Sequence, residues 1–364
     1  MAEVRNLPAT RPRLHHLQVL RCLAASMVVV DHVLDKQVDA GALPEGARYY
    51  SVLIGALGVA TFFVISGYIM CVTTHRSAGT RRGAGYFAAR RITRIVPLYW
   101  LATAIAIPVK ITEPDFAVRL VKSLLFIPYV DSDGEWQPIL ALGWTLNYEM
   151  FFYAVFALCL LLPRRVGLAV CVPMMLTLGA LGFVDQGTLP GLLDFYADPM
   201  VLMFGVGVLL GLRPWRASLR WVTAPIVACL ALPVVVAWLT GAPLPRSAEW
   251  ALTAAVAVGT VAIALSARRD RPSGRLDAAL GVAGDHSYET YLFHVFMLTA
   301  LAVVWFRLPG GDSPAALALM GLVAVVGCNI GGHVVHRVLQ PYVVGPLDAA
   351  VRRRWGPAAV TTAA

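Results

Sequence analysis

Apolar residues form long, nearly uninterrupted stretches along this chain, and most charged residues lie between these stretches. A bilayer core about 30 Å thick requires roughly 20 largely apolar helical residues per crossing. Ten stretches meet that requirement, which predicts an all-α, polytopic membrane bundle of about ten transmembrane helices. The predicted spans are 17–34, 51–74, 95–112, 139–162, 166–184, 192–212, 220–240, 248–267, 286–307 and 314–338.

The distribution of basic residues predicts the orientation of these spans. Cytoplasmic connections of membrane proteins are enriched in Lys and Arg. With a cytoplasmic N-terminus, the predicted inner segments hold 22 of the 30 Lys and Arg residues, and the outer connections hold seven. We therefore predict that both termini are cytoplasmic. The predicted parts are a basic tail (1–16), a membrane domain (17–338) and a C-terminal tail (339–364).

Composition excludes several other classes of protein. Of the 364 residues, 58% are hydrophobic and 14% are charged, whereas soluble domains carry about 25% charged residues. Soluble secreted, cytosolic and disordered chains are thereby excluded. The net charge of +9 follows the inner connections, so it indicates orientation and contact with anionic membrane lipids rather than nucleic acid. The six cysteines lie in apolar runs without CxxC spacing, which predicts no disulfide framework and no zinc site.

Ionisable residues inside the predicted spans are the first functional candidates. Each costs roughly 2.5–3.5 kcal/mol at a helix centre on insertion scales, so such residues are expected to face the bundle interior or a water-filled cavity. The alternative is a set of structural ion pairs that lock the helices together. These residues are Arg21, Asp31, His32, Glu149, Glu289 and His294.

The first span places a cation and an imidazole on one helical face. Arg21 and His32 are eleven residues apart, which is about three helical turns and about 16 Å of rise. Arg21 is therefore expected near the cytoplasm and His32 in the outer half of the membrane. Asp31 is turned about 100° from His32 and need not face the same cavity.

Two further spans carry polar groups near these candidates. Arg91 and Arg94 share a helix face at the predicted cytoplasmic boundary, which suits a phosphate group or simple lipid anchoring. In the second span, Ser66 beside Gly67 is typical of close helix packing. Asn147 adds a hydrogen-bonding group near Glu149 in the fourth span.

The remaining clusters of possible metal ligands predict no metal site. His286 is expected to be solvated at the membrane edge. His333 and His336 are three residues apart near the inner end of the last span, and metal binding there would need a further ligand. The acidic segment 131–135 is expected to be a solvated turn.

Taken together, these segments resemble the acyltransferase 3 family of integral membrane O-acyltransferases. The resemblance covers about residues 15–300, and the motifs occur in the family's order. The amino-acid sequence around Glu149 is most similar to the bacterial exopolysaccharide acetyltransferase branch. The matching segments are Leu17–Ala25 with Asp31 and His32, Phe62–Gly67, Arg91–Arg94 with Pro97–Trp100, Trp144–Glu149 and Ser287–His294.

The resemblance implies transfer of an acyl group from cytoplasmic acyl-CoA to a hydroxyl of an exported carbohydrate, at a bacterial inner membrane. Acetyl-CoA is expected by analogy. The family's Arg-x10-His motif falls on Arg21 and His32, and its Arg-x-x-Arg motif falls on Arg91 and Arg94. Cys22 replaces the small residue of many relatives. Asp31 replaces a common aromatic residue, and it could orient or charge His32.

The chemistry assigns a hypothetical role to each candidate. A sugar hydroxyl needs a base before it attacks a thioester, and histidine suits this work near neutral pH. His32 is our candidate base, while a covalent acyl-His32 relay remains open. Arg21, Arg91 and Arg94 would bind the phosphates of coenzyme A. Glu149 is the second catalytic candidate and would structure the acceptor site or the buried network. Supporting roles would fall to Ser66 and Asn147 as oxyanion donors, and to Asp31 and His294.

A transporter or lipid-linked glycan flippase is the alternative function, because such proteins also carry buried charges across many spans. No inverted repeat is visible in the sequence to favour it. For the acyltransferase, the expected partners are acyl-CoA as donor substrate, a carbohydrate or lipid-linked glycan acceptor, membrane lipids and polysaccharide biosynthesis proteins. No bound cofactor and no nucleic acid are expected.

Overall fold

The computed structural model describes residues 15–75, 77–184, 189–212, 235–236, 245–267 and 272–356. Within these ranges the chain is all-α and contains no strand. The helices are α1 (His15–Asp39), α2 (Ala47–Thr73), α3 (Arg81–Lys110), α4 (Phe116–Leu124), α5 (Gly143–Cys159), α6 (Arg164–Val184), α7 (Leu192–Tyr196), α8 (Pro199–Leu210), α9 (Arg246–Ala267), α10 (Arg275–Asp285), α11 (Ser287–Trp305), α12 (Pro314–Leu339), a π-helical turn (Gln340–Val344) and α13 (Gly345–Trp355).

Seven described segments are long and apolar enough to cross a membrane. Since a helix that crosses a bilayer must be apolar over about 20 residues, these segments identify a multi-pass membrane protein. They are His15–Asp39, Ala47–Thr73, Arg81–Lys110, Arg164–Phe183, Arg246–Ser266, Ser287–Trp305 and Pro314–Trp355.

The other three predicted spans differ from this group. The fourth is the 17-residue helix α5. The sixth is not continuous, because Asp198 caps a new helix by accepting a hydrogen bond from the Met200 backbone nitrogen, and Pro199 cannot continue the previous helix. Most of the seventh, 220–240, lies outside the described residues. The count of ten spans and the cytoplasmic termini therefore stay predictions.

Small residues and stacked aromatic rings hold α2 against α8. A Cβ on Gly67 would lie 2.2 Å from the Phe204 carbonyl oxygen, and one on Gly207 would lie 2.2 Å from the Val64 carbonyl oxygen. Phe204 stacks on Phe63 with ring centroids 4.2 Å apart. The close backbone approach confirms the packing role predicted for the Gly67 segment.

The ends of the bundle are ordered by polar contacts. Arg90 of α3 pairs with Asp348 of α13 at 2.7 Å, so part of the predicted C-terminal tail is a helix that packs on α3.

Asp131 accepts hydrogen bonds from the backbone nitrogens of Asp133 and Glu135. This geometry confirms the turn predicted for the acidic segment.

α1 packs on α2, α10, α11 and α12, and this position brings its polar face into the interior of the bundle. Arg21 and His32 lie on one uninterrupted helix, as predicted. Both project towards α11: Arg21 shares a cavity with Tyr288, and the His32 ring lies beside His294. The polar groups of the first span therefore meet those of the ninth.

Candidate functional site

Five helices supply charged or hydroxyl side chains to one cavity of about 90 Å³ in the bundle. We call it the arginine cavity. α1 contributes Arg21, α2 contributes Ser66, α3 contributes Arg91 and Arg94, and α5 contributes Glu149. The structure thus brings together five candidates that are far apart in the sequence. α11 completes the wall with Ser287, Tyr288 and Tyr291.

Among the described residues, the guanidinium groups of the arginine cavity form no direct ion pair. Within the described ranges, no carboxylate oxygen lies within 4.0 Å of a guanidinium nitrogen of Arg21, Arg91 or Arg94. The Arg91 guanidinium carbon lies 5.5 Å from the centre of the Tyr153 ring. Its buried Nε has no hydrogen-bond partner in the described part of the chain. An anionic ligand would therefore find unused donors in this cavity.

Glu149 is held by two hydroxyl groups rather than by an arginine. Its Oε1 accepts a short hydrogen bond from the Tyr153 hydroxyl, one helical turn away. The Ser66 hydroxyl lies 3.4 Å from the same oxygen. Ser66 is thereby occupied by Glu149, so the two residues form one polar unit on the cavity wall.

Tyrosines from α11 join the arginine cavity to neighbouring helices. The Tyr288 hydroxyl donates to the Ile95 carbonyl oxygen at 2.9 Å. The hydroxyl oxygens of Tyr291 and Thr145 lie 2.5 Å apart. Because these contacts connect α11 with α3 and α5, they position the wall that faces the three arginines.

His32 lies outside the lining of the arginine cavity. Its side chain is 31% exposed, and its Nδ1 lies 3.8 Å from Asp35 Oδ2. Its ring centre lies 5.1 Å from that of His294. His294 is fully buried and directs Nδ1 at the Tyr291 carbonyl oxygen, 2.7 Å away. Tyr291, which lines the cavity, and His294 therefore connect the arginine cavity with His32.

Asp31 packs against α2 and reaches the same polar group as Asp35. The Ser51 hydroxyl oxygen lies 2.5 Å from Asp31 Oδ1 and 2.7 Å from Asp35 Oδ1. One ligand atom from each of Asp31, His32 and Asp35 could meet within 4.8 Å. This spacing could accommodate one cation. Our expectation of no metal stays a prediction, since the side chains are also explained by their contacts with Ser51 and Arg48.

Asn147 is a candidate that the structure leaves out of the arginine cavity. It is buried, it does not line the arginine cavity, and its Oδ1 has no hydrogen-bond partner within the described ranges. The residues that the sequence analysis missed are aromatic ones, Tyr153, Tyr288 and Tyr291. Their only signal was helical spacing from Glu149 and His294, which also fits ordinary packing.

A histidine cluster lies where α10, α11 and α12 meet. His286, in the turn before α11, is 7% exposed, so our expectation of a solvated side chain was wrong. Its Nδ1 lies 3.2 Å from His333 Nδ1, and His336 Nδ1 lies 2.7 Å from Glu289 Oε1. Burial, then the neighbouring His336 and His333, lower the pKa of His286 to about 4. Glu289 thus belongs to this cluster and not to the arginine cavity.

Comparison with known proteins extends these observations. A model of the acyltransferase 3 family, described as an acyltransferase domain, matches residues 14–332. Exopolysaccharide production protein ExoZ of Rhizobium meliloti (strain 1021) is 34% identical over 258 residues, which cover 68% of this chain and 78% of that protein. Acyltransferase MdmB of Streptomyces mycarofaciens is 24% identical over 376 residues, which cover 92% of each chain.

No solved structure matches the chain significantly. The family model nevertheless extends from the start of α1 into α12. It therefore includes every helix that lines the arginine cavity, as well as the segment that carries His32. From this coverage, together with the apolar helices and the exopolysaccharide-related relative, we conclude that the chain belongs to the acyltransferase 3 family of membrane acyltransferases.

Proposed function

We propose that this protein transfers an acyl group, in the first instance acetyl, from cytoplasmic acyl-CoA to a hydroxyl of an exported carbohydrate. The exopolysaccharide production named in one relative supports a carbohydrate acceptor. The basic connections, predicted to be cytoplasmic, support a donor on the cytoplasmic side, and we place the protein in a bacterial inner membrane. Acyl-CoA would act as donor substrate, and no bound cofactor is invoked.

One observation carries the proposal: three guanidinium groups line one cavity with a single carboxylate, that of Glu149, and none of them forms an ion pair within 4.0 Å with a carboxylate of the described residues. Burying cations is costly unless an anion compensates them. Coenzyme A carries several phosphate groups, and guanidinium groups bind phosphate through two parallel hydrogen bonds. We therefore place the coenzyme A phosphates at Arg21, Arg91 and Arg94.

His32 would act as the base. In this reaction its neutral imidazole accepts the proton of the sugar hydroxyl while the oxygen attacks the thioester carbonyl carbon. The resulting oxyanion collapses, the carbon–sulfur bond breaks, and the leaving thiolate takes the proton from the imidazolium. His32 ends neutral, so the cycle is balanced without another reactant. A covalent acyl-His32 intermediate would need a second transfer from the same ring.

Phosphate binding and base catalysis would take place at different positions along α1. Arg21 and His32 are eleven residues apart on α1, which is about 16 Å of helical rise. The extended pantetheine arm of coenzyme A can bridge such a distance between bound phosphates and the reacting thioester. Glu149, held by Tyr153 and Ser66, would order the wall of the arginine cavity against which this arm would lie.

The test is acetyl-CoA binding and hydrolysis by the protein in lipid nanodiscs. We expect Arg91→Ala to raise the Kd at least about tenfold, since hydrogen bonds to charged groups contribute ~1.5–3 kcal/mol. Arg91→Lys should recover only part of this loss, because an ammonium lacks the bidentate fork. His32→Ala should bind acetyl-CoA normally and lose turnover by about 10²–10⁴-fold.

Arg90→Ala is the matched control, because Arg90 pairs with Asp348 and does not line the arginine cavity. Its Kd for acetyl-CoA should stay within about twofold of the wild type. If folded wild-type protein binds no acyl-CoA, the proposal fails and the transporter alternative becomes the better one. If folded His32→Ala retains full turnover, the base is another residue.

A further inference from the structure

A second cavity lies between the first turns of α2 and α9. Its volume is about 360 Å³, within the range of ordinary small-molecule sites. We call it the outer groove. Its walls include two aromatic residues, Tyr49 and Trp250, and three charged residues, Arg48, Arg246 and Glu249. Apolar residues of α2 complete the lining.

The aromatic and charged groups of the outer groove are organised by direct contacts. The Tyr49 hydroxyl donates to Glu249 Oε1 at 2.6 Å, which ties α2 to α9. Arg48 lies 3.0 Å from Asp39 Oδ1 and 3.2 Å from Glu45 Oε2. Trp250 packs partly against the main hydrophobic core, so the position of its ring is restrained.

One layer of side chains separates the outer groove from His32. Arg48 Nη1 lies 3.5 Å from Asp35 Oδ1, and Asp35 Oδ2 lies 3.8 Å from His32 Nδ1. The groove is therefore at the end of the bundle towards which α1 runs from Arg21. Tyr291 and His294 connect His32 with the arginine cavity, whereas Asp35 and Arg48 connect it with the outer groove.

We infer that the outer groove binds a saccharide unit of the acceptor, next to the unit whose hydroxyl is presented to His32. An indole or phenol ring offers a flat apolar face to the C–H face of a pyranose ring. An adjacent carboxylate can accept hydrogen bonds from the ring hydroxyls, and an adjacent guanidinium group can donate hydrogen bonds to them. This inference rests on the proposed function, and it assigns the acceptor to a groove separate from the donor cavity.

The first experiment measures binding of labelled protein to an array of defined oligosaccharides of neutral hexoses, N-acetylhexosamines and uronates. The protein is held in nanodiscs free of sugar-based detergent, because a maltoside headgroup would compete for the groove. We expect selective binding by the wild type and its loss in Trp250→Ala. The control is Trp100→Ala, which removes a 48% exposed tryptophan outside both cavities and should bind normally.

The second experiment uses the best-bound oligosaccharide as acceptor with radiolabelled acetyl-CoA. We expect Trp250→Ala to raise KM for the oligosaccharide at least about tenfold, equivalent to ~1.4 kcal/mol. Its kcat at saturating sugar and its Kd for acetyl-CoA should remain within about twofold of the wild type. Tyr49→Phe keeps the ring and removes the bond to Glu249, so it should give a smaller rise in KM.

The outcomes separate the two proposals. If acetyl-CoA binds and is hydrolysed but no oligosaccharide binds, or Trp250→Ala leaves KM for the sugar unchanged, the saccharide assignment is overturned and the proposed donor chemistry stands. If Trp250→Ala changes the binding of anionic lipid and not the binding of sugar, the groove is a lipid site, and the saccharide assignment is again overturned. If an oligosaccharide binds but acyl-CoA does not, the proposed acyltransferase function fails, and the assignment of the outer groove as a saccharide site is not affected.

Discussion

A fully buried histidine on α11 carries a ring nitrogen without a partner in the described structure. His294 Nδ1 faces the Tyr291 carbonyl oxygen at 2.7 Å, and since a carbonyl only accepts, the proton must reside on Nδ1. Nε2 is then an acceptor, and no donor reaches it within the described ranges. The His32 ring is the neighbouring imidazole. We therefore predict that His294 is a positioning residue for His32.

We predict that His294→Asn lowers kcat roughly tenfold, less than the 10²–10⁴-fold expected for the base itself. Asparagine can keep a donor near the Nδ1 position but removes the Nε2 acceptor from the ring beside His32. The measurement is kcat as a function of pH, with Kd for acetyl-CoA unchanged. A folded His294→Asn enzyme with the wild-type pH profile would contradict the positioning role.

At the scale of single helices, α2 and α8 approach so closely that side chains are excluded from the contact. A methyl group on Gly67 would meet the Phe204 carbonyl oxygen at 2.2 Å, and backbone cannot move as cheaply as a flexible side chain. Ser66, one residue earlier, lines the arginine cavity. The packing of α2 and the geometry of the site are therefore coupled.

We predict that Gly67→Ala destabilises the protein by about 1–3 kcal/mol, the usual cost of overpacking. Thermal unfolding in nanodiscs should show a lower Tm. Gly327→Ala on α12 is the control, because a Cβ there meets no atom within 4 Å and alanine favours a helix by up to ~1 kcal/mol. Equal Tm values for the two variants would argue against a close contact between α2 and α8.

The histidine cluster predicts how the junction of α10, α11 and α12 responds to acid. The pKa of His286 is lowered to about 4 from its ordinary value of 6.5, by burial first and then by His336 and His333. Asp285 opposes this shift and Arg337 adds to it. The neutral imidazole fits the fold, so this stability is present above pH 6.5 and is lost as the pH falls through about 4.

We predict that the wild-type Tm falls between pH 7 and pH 4.5 and that His286→Gln reduces this fall. The contact between His336 and Glu289 remains in that variant, so only part of the pH dependence should be removed. Thermal unfolding at several pH values measures both effects. An identical slope for the variant and the wild type would assign the acid response to other groups.

For the whole molecule, the orientation in the membrane decides which cavity meets which substrate. If the N-terminus is cytoplasmic, the turn after α1 lies outside and α13 lies inside. We predict that Ala40→Cys reacts with a membrane-impermeant maleimide in intact cells and that Arg353→Cys reacts only after permeabilisation. The reverse pattern would place the arginine cavity on the outer side and would contradict a cytoplasmic acyl-CoA donor.

Much of this architecture follows from the sequence because membrane spans are a local property. The length of an apolar run decides whether it can cross a bilayer, and the spacing of Arg21 and His32 on one face follows from helical periodicity. The same reasoning predicted that Arg91 and Arg94 share a helix face suited to a phosphate group or to lipid anchoring. Family membership was also recognisable, because five short motifs occur in a fixed order.

Only the tertiary structure decided which of these groups share a space. Helix contacts in a membrane depend on shape and hydrogen bonding, since lipid and apolar side chains are nearly equivalent as surroundings. Hydropathy therefore could not show that Glu149 joins the arginines while Asn147 does not. Nor could it show that His286 is buried by two histidines 47 and 50 residues away in the sequence. Such contacts between distant segments are set by packing, which leaves no periodic signal in the chain.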